Sequence, residues 1–151
     1  MTPAQVTSFK EFGPYKPFSN GDLQTFNGRF QGRKQNIQFF FEHGRLRRIG
    51  VYFGEGTDRK KAVAVCQQLY ELLQRDYGPV TIPDDKSPRS TKAAPPGALA
   101  IAATANADLF GKTHLIPMRQ PADMQVSGSV MSTFVGHQKW FYVALFFDQR
   151  T

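Results

Sequence analysis

A single cysteine, Cys66, in 151 residues excludes an internal disulfide and any zinc site built on paired cysteines. No stretch approaches the roughly 18 apolar residues that a membrane-spanning helix needs. Met1 to Ser8 has neither a basic n-region nor an apolar h-region, so no leader is read there. A periplasmic or exported location therefore requires a signal peptide removed upstream; without one the reading is cytoplasmic. Catalytic patterns are equally scarce. The three histidines, His43, His114 and His137, form no His-x-x-x-His pair for a metal. Ser127-Gly128-Ser129 lacks the Gly-x-Ser-x-Gly elbow of a nucleophile, and Asp84-Asp85 are neighbours in a proline-rich stretch whose carboxylates point apart. The expectation is a protein that is not an enzyme, with no metal and no cofactor.

Acidic residues are few, 12 against 19 basic ones, leaving a net charge of +7. Between Gly28 and Lys61 nine basic residues face three acidic ones, so nearly all of that surplus lies in one segment. Such a balance favours anionic partners: an acidic protein, an anionic polymer or surface, or nucleic acid. What the chain has in quantity is aromatic side chains, with 14 Phe, 5 Tyr and one Trp. These supply a core without disulfides or metal, and a chain of this length buries roughly 70% of its unfolded surface.

Residues 1–21 contain Gly13-Pro14-Tyr15-Lys16-Pro17 and read as an extended N-terminal arm, with Phe9, Phe12 and Phe18 docking on the body. Residues 22–151 read as a single domain with a mobile proline-rich loop over 79–97. Leu23 to Phe30 alternates weakly as a first strand, and Gln31 to Asn36 turns the chain. Ile37, Phe39 and Phe41 mark a second strand, and Ile49, Val51 and Phe53 a third. Ala62, Val65, Cys66, Leu69, Leu72 and Leu73 then recur at helical spacing, with Thr57 or Asp58 as cap and Gly78-Pro79 as terminator. Cys66 on that stripe reads as a buried structural thiol. Ala98 to Phe110 fits a helix better than a strand. Met124 to Val135 and Lys139 to Asp148 read as the last two strands, the final one apolar on both faces. The predicted fold is α+β: an antiparallel sheet of about five strands with one long amphipathic helix packed on one face.

The candidate binding residues are Arg45, Arg47, Arg48, Tyr52, Arg59, Lys60 and Lys61. Cations at Arg59 to Lys61 oppose the helix macrodipole at a cost of about 0.3–1 kcal/mol each, which marks either an anion site or a solvated face. Gly54-Glu55-Gly56-Thr57-Asp58 joins strand to helix where phosphate loops occur, but lacks their third glycine and their Gly-Lys-Ser/Thr, and reads as a capped turn. Basic residues interleaved with Tyr52 and Phe40 also suit single-stranded nucleic acid, although the ribonucleoprotein signature is missing. Aromatics of the last strand offer a third option, a small apolar ligand held between helix and sheet.

Phe39-Phe-Phe-Glu-His-Gly-Arg-Leu46-Arg-Arg-Ile49, followed by a helix ending Leu72-Leu-Gln-Arg-Asp-Tyr77-Gly-Pro79, resembles a pattern of small exported bacterial domains, periplasmic proteins and lipoproteins of unknown role. Here Pro79 directly follows Gly78, whereas that pattern has a residue between them. The resemblance implies a sheet-and-helix fold and an envelope location, and brings no catalytic residue. Together these readings predict a non-enzymatic binding or assembly module of the bacterial envelope, its basic face engaging an acidic protein or anionic surface. Nucleic-acid binding through the same face is the second reading, and small apolar ligand binding the third.

Overall fold

The computed structural model of the chain describes residues 1–83 and 97–150. Its eight strands are β1 (Tyr15–Pro17), β2 (Leu23–Phe30), β3 (Arg33–Glu42), β4 (Arg45–Gly56), β5 (Val80–Thr81), β6 (Lys112–Pro117), β7 (Met124–Val135) and β8 (Gln138–Gln149). They form one antiparallel sheet in the order β1-β2-β3-β4-β8-β7-β6-β5. Three helices accompany it: α1 (Pro3–Thr7), α2 (Arg59–Tyr77) and α3 (Ala98–Phe110).

This corrects the expected five-stranded sheet with one long helix. The additional strands are short or proline-bounded, and short segments carry too few residues for a two-residue period to register. β1 has three residues and ends on Pro17; β5 has two and follows Pro79. In β6, Thr113, Leu115 and Pro117 alternate inward over only six residues. The N-terminal arm is not simply extended either. Thr2 and Gln5 cap one another reciprocally, and Pro3 occupies the first helical position, where its missing N–H costs nothing. The expected loop over 79–97 opens with β5, and its residues 84–96, Asp84 and Asp85 among them, lie outside the described residues.

The sheet has one helix-covered face and one free face. On the covered face Val51, Leu145, Val143, Val126 and Val130 meet Cys66, Leu69 and Leu73 of α2. α3 packs beside α2 through Ala100, Ala103 and Ala107, small side chains that let the two helices approach closely. Thr104 lies in that seam, its hydroxyl donating to the Ala100 carbonyl at 2.8 Å. Gly128 of β7 lies directly beneath α2, where a Cβ would sit 3.0 Å from both Leu69 Cδ2 and Leu73 Cδ1. A twist of about 20–25° per strand makes so wide a sheet a saddle. On the covered side Phe30 of β2 reaches Phe147 of β8, with ring centroids 6.2 Å apart.

Candidate functional site

β4 runs roughly 35–40 Å end to end. Arg45 and Arg47 stand at its start; Arg59, Lys60 and Lys61 follow its end, at the first turn of α2. The candidate residues therefore do not share one surface. They divide into two ends of the molecule, with Arg48 and Tyr52 between them on the free face.

At the β3–β4 turn the Arg47 Nε donates to Glu42 Oε2 at 3.2 Å, which neutralises one of the two cations there. Arg48 is more deeply engaged. Its guanidinium makes two bonds to Asp148, at 2.5 and 3.2 Å, and lies 4.6 Å from the Phe146 ring centroid. Tyr52 and Phe40 both pack edge-on against that same ring, at 6.0 and 6.5 Å. Burial raises the Tyr52 hydroxyl pKa above its ordinary value, with Arg48 opposing and Glu55 adding to the rise. This cluster is the cover of the last strand's second face. β8 sits centrally between β4 and β7, and Phe146 and Ala144 are buried on the side away from the helices. Trp140 and Tyr142 point to that side too, so the aromatics of β8 do not all line a space between helix and sheet.

The opposite end is assembled by Asp108 at the last turn of α3. Its carboxylate accepts from Lys139 Nζ at 2.6 Å and from Arg59 Nη1 at 3.0 Å, joining α3 to β8 and to α2. The Lys139 hydrogen bond is the main cause holding the Asp108 carboxyl below its ordinary pKa; the two cations add to it and burial opposes it. Asp58 caps α2, accepting from the Lys60 and Lys61 amides at 2.9 and 3.3 Å, so the glycine-flanked turn is a capped turn whose first amides are occupied. Asp58 and Asp108 thus offset the unfavourable placement of cations at a helix start. Among the described residues the Lys60 and Lys61 side chains have no ion-pair partner.

Around these charges the surface is apolar. Leu109 and Phe110 at the end of α3 are 77% and 78% exposed, and Phe134 and Val135 at the β7–β8 turn are 67% and 52% exposed. Lys139 connects the two groups, bonded to Asp108 and lying 5.3 Å over the Phe134 ring. A further tie is Ser132, whose amide donates to the Gly111 carbonyl at 2.8 Å. The sequence reading missed these four residues. Their signal was local: large apolar side chains directly before Gly111 and Gly136, at turns where polar residues are the rule.

Among the described residues no helix is long and apolar enough to cross a membrane, and no group of three metal-ligating side chains occurs. Compared with protein-family models, curated proteins and solved structures, the chain matches none.

Proposed function

We propose that this protein is a non-enzymatic binding module that docks by one end on an anionic lipid surface, as the bacterial envelope presents. The observation that carries this is the exposed quartet Leu109, Phe110, Phe134 and Val135 at the end where Arg59 bonds Asp108 and is followed by Lys60 and Lys61, whose side chains have no ion-pair partner among the described residues. Large apolar side chains left in water at one end mark an interaction site. Cations beside them fit acidic headgroups, each lysine contributing about 1 kcal/mol near such a surface, while the apolar groups enter the acyl boundary. The envelope location rests on the resemblance of the Phe39–Ile49 and Leu72–Pro79 segments to exported domains. Arg48 supports no nucleic-acid groove, because Asp148 already holds its guanidinium.

Trp140 is the chain's only tryptophan and adjoins Lys139, so its emission reports on this end directly. The protein is mixed with vesicles of phosphatidylglycerol and phosphatidylcholine, or of phosphatidylcholine alone, and followed by cosedimentation and Trp140 fluorescence. Binding and a blue shift are expected with the anionic vesicles only. Leu109→Ser with Phe110→Ser should abolish both, whereas Arg45→Glu with Arg47→Glu, at the far end, should leave both intact. Equal response to the two vesicle types, or loss only in the far-end variant, overturns the reading.

A further inference from the structure

We infer that the free face of the sheet holds a second site, a cleft for a neutral, hydroxyl-rich ligand of the saccharide class. This goes beyond surface docking and uses other ligand-facing side chains, the cleft adjoining the docking end only at Gly111, Ser132 and Thr133. The cleft measures about 470 Å³, and its walls include Gln24 and Phe26 of β2 and Lys112 of β6, strands with four others between them in the sheet. Only the twist of the sheet brings them to one concavity. That volume lies within the roughly 300–1,000 Å³ of small-molecule sites.

The lining selects the ligand. Among the described residues Glu55 and Lys112 are its only carboxylate and ammonium, one of each sign, so the site favours neither a polyanion nor a cation. Three amide side chains, Gln24, Asn36 and Gln38, enter it from β2 and β3. Gln24 and Gln38 make no side-chain hydrogen bond among the described residues. Asn36 donates through Nδ2 to Glu55 Oε1 at 2.8 Å, which fixes its amide, while its Oδ1 is buried without a donor. A buried acceptor left unmade costs about 1–3 kcal/mol. Tyr142 and Tyr52 supply flat rings with polar tips. Rings for C–H faces and free amides for hydroxyl edges are the complement of an uncharged sugar, since each amide both donates and accepts.

The test titrates nitrogen-15-labelled protein with chitotriose, cellotriose and maltotriose, and follows the side-chain amide signals of Gln24, Asn36 and Gln38. At least one trisaccharide is expected to shift these signals saturably. Gln38→Ala, which breaks no internal bond, should weaken that binding about tenfold, the loss of one good hydrogen bond. The Leu109→Ser, Phe110→Ser variant should bind the sugar unchanged, which separates this site from the docking end. Absence of shifts with all three sugars overturns the inference. So does a single-stranded oligonucleotide that shifts these amides where no sugar does.

Discussion

Lys139 reaches from the start of β8 to Asp108 on α3, its Nζ donating to the carboxylate at 2.6 Å and to the backbone carbonyl at 3.1 Å. With Arg59 on the same carboxylate, one acid anchors two cations of the docking end. Asp108→Asn is expected to lower stability by about 1 kcal/mol, the upper range for a partly exposed pair. Because the folded carboxyl titrates below its unfolded value, its contribution is full above about pH 4 and is lost as pH falls through the folded pKa. Urea midpoints of wild type and variant should differ by a constant amount from pH 5 to 7 and converge in stronger acid. Vesicle binding should be kept or strengthened, since two cations are released.

Cys66 is fully buried, and burial pushes its thiol pKa up to about 12 against a weaker opposing bond from Thr104. A disulfide reagent at neutral pH should leave the native protein unlabelled and modify it stoichiometrically once unfolded. A raised thiol pKa stabilises the fold below the unfolded thiol's value, about 8.5, and this benefit fades as pH climbs toward the folded value. Relative to Cys66→Ala, wild type should therefore lose stability between pH 8 and 10, measured by urea unfolding.

Gly128 admits α2 to the sheet. Its missing Cβ would lie 3.0 Å from two leucine methyls and 3.1 Å from Leu115 Cβ, the last of these on a neighbouring strand that cannot swing aside. Gly128→Val should cost about 1–3 kcal/mol through overpacking. Leu73→Ala, which opens a void at the same contact, should cost about 2–5 kcal/mol. Thermal melts of the two variants separate strain from cavity: the double variant should recover part of the loss if the valine occupies the leucine's space.

Arg48 should behave as a structural residue. Arg48→Met removes the two bonds to Asp148 but keeps apolar cover over Phe146, so it should cost less than Arg48→Glu, which sets two carboxylates together. Chemical denaturation ranks them, and the expected order is wild type, Met, then Glu. Vesicle binding by folded Arg48→Met should equal that of wild type.

The elements most legible in the sequence carry their own boundary chemistry. α2 opens at Asp58 and closes at Gly78-Pro79, as its caps foretold, and Ala98 to Phe110 is helical throughout. β2 and β7 span the residues that alternation marked, Leu23–Phe30 and Met124–Val135. β1 and β5 were illegible because two or three residues have no period, and each exists only through its neighbour's ladder. The charges of the docking end were visible as Arg59, Lys60 and Lys61, but their company was not. That Leu109 and Phe134 share an end depends on α3 returning beside α2 and on the β7–β8 turn reaching it. Grouping Arg45 to Arg48 with Arg59 to Lys61 as one face ignored the length of the strand between them. Likewise the cleft gathers residues from six strands, and no window of sequence contains them.

The strand order also divides the chain in time. β1 to β4 form one consecutive meander and β5 to β8 another, and only the β4–β8 ladder makes them a single sheet. Arg48 and Asp148, facing each other across that seam, are 100 residues apart. Closing so long a loop costs entropy that nearer pairings avoid, so the seam is expected to form late in folding. Until then β4 presents a bare 12-residue edge to any other emerging chain. Yield in synthesis should therefore depend less on the final stability of the fold than on how quickly β8 arrives to cover that edge.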